Sequence, residues 1–170
     1  IGENTMTDYI CDVDGTLMNV EKRASYAKKH KKDSDKIMDW DIFLNPKIML
    51  EYDTPNVDVC NVINALRLQP EDQIYETEIL KNRIIITSAR NERHRDVTMK
   101  QLELAGVKYD SMYLRDDGDF RPDDIVKAEL LDWIITDGYM PKVAFDDRNQ
   151  VVKKWRELGI HCYQVREGNF

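Results

Sequence analysis

Residues 9–20 read YICDVDGTLMNV. A short apolar run, Tyr9-Ile10-Cys11, delivers two carboxylates, Asp12 and Asp14, and then a Gly15-Thr16 turn. Such a run suits a strand buried on both faces. In extended chain the side chains at i and i+2 point the same way, so acids at that spacing can approach one atom together. A strand that ends in paired acids and a glycine turn puts its reactive groups at its carboxyl end.

Working outward, runs of the same kind recur. Residues 8–12, 83–87 (RIIIT), 111–114 (SMYL), 142–145 (KVAF) and 161–165 (HCYQV) read as strands. Helical patterns lie between them. Val59, Val62, Ile63 and Leu66 repeat at helical spacing after Pro55, and a second helix runs from Glu92 to Ala105 and stops at Gly106. A third opens at RPDDIVKAELLDWI (121–134), with Pro122 suited to the first turn and Asp123 and Asp124 near the positive end of the helix dipole. A fourth, NQVVKKWRELG (149–159), ends at Gly159. Trp133 and Trp155 read as core-facing on these helices, and His94 as a surface residue. Alternating strands and helices predict an α/β, Rossmann-like fold, a parallel sheet flanked by helices. Ligands of such sheets bind beyond the carboxyl ends of the strands.

One segment breaks the alternation. Residues 18–54 carry a basic run, KKHKK (28–32), then DKIMDWDIFLNP (35–46), with no clear strand. They are expected to form a mostly helical or irregular insertion that covers the site as a small cap. Residues 67–82 are polar and read as a surface excursion before the second strand.

The chain has 170 residues, 42% hydrophobic and 34% charged, enough for one domain over 6–170 and too little for two. Residues 1–5 are set aside, with Met6 a natural start. No apolar stretch is long enough to cross a bilayer and no basic-then-apolar leader precedes the first strand, so a soluble, cytoplasmic protein is expected, with no membrane partner. The three cysteines (Cys11, Cys60, Cys162) lack metal-ligand spacing and read as buried free thiols. A net charge of −7 argues against a broad basic face for duplex nucleic acid, though not against touching one strand end through a few arginines.

The residues that follow each strand form a coherent set: Asp12, Asp14, Gly15 and Thr16; Thr87, Ser88 and Arg90; Arg115, DDGDF (116–120) and then Lys127; Asp146, Asp147 and Arg148. Carboxylates, a hydroxyl, a lysine and arginines at one edge suit a divalent metal and a phosphate. One acid of the Asp12/Asp14 pair can attack phosphorus while the other gives a proton to the leaving oxygen. A metal relieves their repulsion, and Mg²⁺ needs only one or two further carboxylates, which Asp146 and Asp147 supply. Ser88 and Lys127 would hold the transferred group, and Gly15 would turn the chain and present N–H groups to it. Each piece alone has a plainer reading. Paired acids cap helices or line turns, Ser88 can cap the next helix, and lysines on helices are commonly solvated. Their occurrence at successive strand ends is what carries weight.

The set DVDGT, IITSAR, Lys127 and AFDD resembles the four motifs of the haloacid dehalogenase-like (HAD) phosphatases. The resemblance implies Asp12 as nucleophile and Asp14 as general acid and then base, with Ser88 and Lys127 on the phosphoryl group. It implies Mg²⁺ held by Asp12, the Asp14 carbonyl and Asp146, with Asp147 close by. DFRPDDIVKAELL, AFDDRNQVVKKWRELGIHCYQV and the ending EGNF further resemble the phosphatase domains of bacteriophage polynucleotide kinase–3′-phosphatases. That likeness adds Arg23 and Arg90 as residues needed for activity. It implies a Mg²⁺-dependent removal of 3′-phosphate from nucleic-acid ends or 3′-nucleotides, with 2′,3′-cyclic ends as further substrates, in a host cytoplasm if the gene is a phage's. No G-x-x-x-x-G-K-[ST] loop occurs, so the chain carries no kinase half. Two alternatives stand beside this reading: a 5′(3′)-mononucleotidase of the same superfamily, and a non-catalytic binding module. On the first reading KKHKK touches the strand backbone, and Tyr26, Trp40 or Phe43 stack on a base; otherwise they are a solvated helix face and a cap's own packing.

Overall fold

The computed structural model describes residues 6–67 and 82–169, so residues 1–5 and most of the 67–82 stretch lie outside it. Strand β1 (Asp8–Cys11) leads into a two-residue strand β2 (Met18–Asn19) and helices α1 (Glu21–Lys29), α2 (Trp40–Phe43) and α3 (Pro46–Tyr52). Strand β3 (Thr54–Pro55) and helix α4 (Val57–Arg67) follow. The remainder alternates: β4 (Arg83–Asn91), α5 (Arg95–Leu104), β5 (Ser111–Arg115), α6 (Asp123–Thr136), β6 (Pro141–Asp146), α7 (Asn149–Glu157) and β7 (His161–Gln164).

Five strands form one parallel sheet in the order β5-β4-β1-β6-β7, which puts β1 and its acids at the centre. Successive side chains divide between two cores, as the period of a strand requires. Cys11, Ile84 and Ile86 pack with Val59, Ile63 and Leu102 on one face. Ile10, Ile85 and Ala144 pack with Leu131, Ile134, Val152 and Trp155 on the other. This is the parallel, Rossmann-like α/β fold expected from the alternation. The unbroken Ile84-Ile85-Ile86 run, fully buried, is the signature of a strand covered on both faces.

Several boundaries and exposures differ from expectation. Strand β4 runs on to Asn91, so Ser88 and Arg90 lie within it, where its pairing with β5 slips between Ser88 and Asn91. The next helix begins at Arg95, because a single 3₁₀ turn (Glu92–His94) intervenes and carries His94 inward to 5% exposure. Pro122 lies just ahead of α6 in extended conformation rather than in its first turn. Trp133 is exposed, one step off the buried Val126–Leu130–Ile134 stripe, whereas Trp155 is fully buried. Gly106 and Gly159 take the positive φ that ends a helix. The described cysteines, Cys11, Cys60 and Cys162, are free and buried. No described helix is long and apolar enough to cross a membrane.

The segment after β1 contains strand after all. Met18 pairs with Pro55 and Asn19 with Thr54, an antiparallel ribbon too short to leave an alternation signal. It gathers α1, α2 and α3 between its two strands. Asp39 caps α2 and Asn45 caps α3, with Pro46 in the first turn of the latter. The aromatics of this segment engage one another. Tyr26 stacks between His30 and Tyr52, Trp40 meets Phe43 edge-on, and the Arg23 guanidinium lies 4.2 Å from the Phe43 ring centre. The KKHKK run is the exposed end of α1, where Lys31 closes the following loop onto the Ser34 and Lys36 carbonyls.

Candidate active site

The carboxyl edge of the sheet gathers two clusters of buried charge. The first surrounds Lys127. Its ammonium, carried in by the second turn of α6, lies 2.6 Å from Asp12 Oδ1 and 3.4 Å from Asp146 Oδ2. It also lies within 2.9 Å of the Thr87 carbonyl and 3.1 Å of the Thr87 hydroxyl. Asp147 completes an acidic triad, with one oxygen each of Asp12, Asp146 and Asp147 within 4.8 Å of one another. Asp146 is oriented by the N–H groups of Asp147 and Arg148 at 3.0 and 3.3 Å and by Trp155 Nε1 at 3.2 Å. Among the described residues one ammonium, paired with Asp12 and Asp146, stands against three buried carboxylates, a deficit of positive charge that suits a divalent cation with oxygen ligands. The electrostatics reflect that deficit. Burial pushes the Asp12 carboxyl well up, with Lys127 opposing and Asp146 adding to the rise. Burial and Asp146 push Asp147 up to about 6. Burial would neutralise Lys127, but Asp12 and Asp146 hold it firmly protonated.

Gly15 sits against this triad. Its φ is +85°, and a Cβ there would fall 2.0 Å from Asp147 Oδ2, so only glycine lets the carboxylate rest on the turn. The Gly15 and Thr16 N–H groups, expected to face a phosphate, are instead donated to the Met18 and Val13 carbonyls. The tight turn spends them. The Thr16 hydroxyl donates to Asp147 Oδ1 at 3.5 Å. Near the other end of the chain, Gly168 packs its backbone on the Asp147 carbonyl and accepts from the Asn149 N–H at 3.0 Å, which ties the EGN stretch to the same corner.

The second cluster surrounds Asp14. Arg90 donates to both of its oxygens, at 2.9 and 2.6 Å, and Arg23 reaches Oδ1 at 2.5 Å. Both guanidinium groups are fully buried while Asp14 keeps 24% side-chain exposure, so the carboxylate is the accessible face of the cluster. Burial opposes its charge, but the two arginines overcome this and hold it far below the usual carboxylate range. Arg90 is fixed from behind by Thr98 Oγ1 at 3.0 Å and Gln101 Oε1 at 2.7 Å. Arg23 donates to the Phe43 carbonyl at 3.0 Å and forms an ion pair with the buried Asp53 at 2.9 Å, at an angle short of a hydrogen bond. Gln101 in turn donates to Asp53 and to the Met49 carbonyl, both at 2.9 Å. The segment after β1 is thereby joined to the sheet through its charges. Ser88, 1% exposed, accepts the Arg90 N–H at 3.2 Å.

The structure thus brings Asp12, Lys127, Asp146 and Asp147 together, and Asp14, Arg23 and Arg90 beside them. Asp12 and Asp14 take different partners. Asp53, Gln101, Thr98 and the Trp155 donor belong to no motif. Thr98 and Gln101 did leave a signal, since they occupy the same helix face as the core residue Leu102. Asp123, read only as a helix-terminal acid, pairs with both Arg115 and Arg148 and so links the ends of β5 and β6.

The chain is similar to several known proteins. Residues 45–170 match the family model of the polynucleotide kinase PNKP phosphatase domain. A chain of the Pnkp1/Rnl/Hen1 RNA repair complex is 29% identical with a TM-score of 0.71, the match covering 99% of this chain and 45% of that one. A second structure of the Pnkp1/Rnl/Hen1 complex gives 29% and 0.69, with 99% and 49% covered. The chain therefore spans just under half the length of these relatives. A haloacid dehalogenase-like hydrolase from Streptococcus pneumoniae shares the fold at 15% identity and a TM-score of 0.57, covering 94% of this chain and 84% of that one. The chain belongs to the family of PNKP phosphatase domains, and is a phosphatase of the HAD type.

Proposed function

We propose that the chain is a Mg²⁺-dependent phosphatase that removes the 3′-phosphate from nucleic-acid ends, 2′,3′-cyclic ends included, through an aspartyl-phosphate on Asp12. The observation that carries this reading is the separation of two acids by their partners. Asp12 shares Lys127 with Asp146 and lies beside a third carboxylate, Asp147, while Asp14 faces two arginines. Asp12, Asp146 and Asp147 would hold Mg²⁺, which neutralises phosphoryl oxygens and the crowded carboxylates when bound.

Asp12 Oδ attacks phosphorus as the bond to the 3′ oxygen breaks, and Lys127 offsets the charge of the transferred group. Asp14 supplies the proton to the leaving oxygen, and later takes one from the water that cleaves the acyl phosphate. Held by Arg23 and Arg90, Asp14 is ready for the second task, since an ionised carboxylate accepts. For the first it must carry a proton, which requires the hold of the two arginines on it to loosen. The likeness to a chain of an RNA repair complex supports RNA ends as the biological substrate. As part of that reading, residues 18–54 act as the cap.

The test is phosphate release from a matched panel of 3′-phosphorylated oligonucleotides, 3′-mononucleotides and 5′-mononucleotides, with Mg²⁺ or with EDTA. Fast release from the 3′-phosphorylated strands, abolished by EDTA, is expected. Preference for 5′-mononucleotides would overturn the assignment.

A further inference from the structure

The loop from Asp116 to Pro122 leaves β5 at the carboxyl edge and feeds α6, which carries Lys127. It is pinned at both feet. Asn91 Nδ2 donates to the Asp116 carbonyl at 3.2 Å, and the Arg93 N–H donates to Asp117 at 3.3 Å. Arg115 donates to the Asp119 and Arg121 carbonyls at 3.1 and 2.7 Å, and also pairs with Asp123, the partner of Arg148. Arg121 closes the tip onto Asp119 at 2.7 Å. This braced turn presents Phe120, 93% exposed and with no ring contact among the described residues. Leaving a phenyl ring in water forgoes one of the larger burial gains available to a side chain. The aromatics of the 18–55 segment are already engaged with one another or with Arg23.

We propose that Phe120 is the platform on which the terminal nucleobase of a phosphorylated strand stacks while its phosphate sits at Asp12 and Lys127. The inference rests on the substrate reading above. The acids of the loop itself, in a chain of charge −7, repel the strand's other phosphates here, so what this loop offers the terminal nucleotide is an uncharged contact. A π-face supplies one, and it serves any base, as trimming of ends requires. Phe120 touches no reacting atom and acts as a positioning residue.

Kinetics on two 3′-phosphorylated strands, one with an intact terminal base and one abasic at that nucleotide, test this with F120A, F120L and F120W. On the base-bearing strand F120A is expected to raise KM by about tenfold, the lower part of the range for base–aromatic stacking, with kcat changed far less. The loss on the abasic strand should be several-fold smaller, and F120W but not F120L should restore the base-bearing KM. An equal effect of F120A on both strands, or none on either, overturns the proposal while leaving the phosphatase assignment intact. Failure of the unsubstituted protein to release phosphate from both strands instead removes the substrate reading, and this inference with it.

Discussion

The two edges of the central sheet both bury acids, and they treat them differently. At the amino edge Asp8 accepts from Arg83 through both oxygens, at 2.6 and 2.7 Å, and from the Met140 N–H at 2.7 Å, while the guanidinium rests over Tyr139. Asp110 beside it takes Arg67 at 3.0 Å and the Ile84 N–H at 2.9 Å. Each acid there has its own arginine. At the carboxyl edge Asp12, Asp146 and Asp147 have, among the described residues, one lysine between them. Matched burial of charge is compatible with a purely structural role. Unmatched burial is costly and persists where a ligand supplies the missing charge.

The sharpest way to break this comparison is to substitute one acid at each edge. Asp12→Asn is expected to lower phosphate release by at least about 1,000-fold, because the amide neither attacks phosphorus nor binds metal as the carboxylate does. Its melting temperature should not fall, since one of three repelling charges is gone. Asp8→Asn should do the reverse. Removing one partner of a buried pair strands the arginine, but Arg83 is 28% exposed and recovers part of its hydration. A loss of about 2 kcal/mol is expected, with turnover nearly unchanged at a temperature where the protein stays folded. If Asp12→Asn unfolds the chain or Asp8→Asn halts turnover, the two edges are not divided by role.

Arg90→Lys probes the second cluster at the carboxyl edge and should have the next largest effect on rate. A lysine keeps the charge but gives up the two-pronged contact with Asp14 and the bonds to Thr98 and Gln101. A fall of about 100-fold in kcat is expected, with KM less affected, measured on a 3′-phosphorylated strand. A change confined to KM would make Arg90 a binding contact alone.

How far each edge could be read in advance follows from what surrounds its acids. Asp12, Asp14, Asp146 and Asp147 stand out because each directly follows or ends an apolar strand, where charge is conspicuous. Lys127 lies on a helix, where position gives little, and it is legible only together with the strand ends. Arg23 lies in a segment with no hydrophobic period, and a family likeness rather than a pattern points to it. Thr98 and Gln101 share their helix face with the buried Leu102, whereas Asp53 is a polar residue at the end of a short helix, and nothing local separates its burial from exposure. The amino edge was silent for the same reason. Asp8 and Arg83 each begin a strand, where ordinary solvated charge is expected, and only the parallel register between β1 and β4 makes them partners.

The smallest expected effect tests the charge deficit itself. In the metal-free protein burial and Asp146 raise Asp147 to about 6, whereas an unfolded chain releases that proton near 4. Between those values the folded state binds the extra proton, so Asp147 favours folding at low pH and disfavours it once pH has risen through about 6. A cation must displace the same proton. Stabilisation by Mg²⁺ should therefore be largest above pH 6 and fade below it, opposite to the trend of the metal-free protein. In thermal melts, saturating Mg²⁺ should raise the midpoint by about 5 °C at pH 7.5 and much less at pH 5. Asp147→Asn should flatten this pH dependence, because the amide has no proton to displace. A Mg²⁺ shift of the same size at both pH values would place the ion away from the triad, and the edge's unmatched charge would need another explanation.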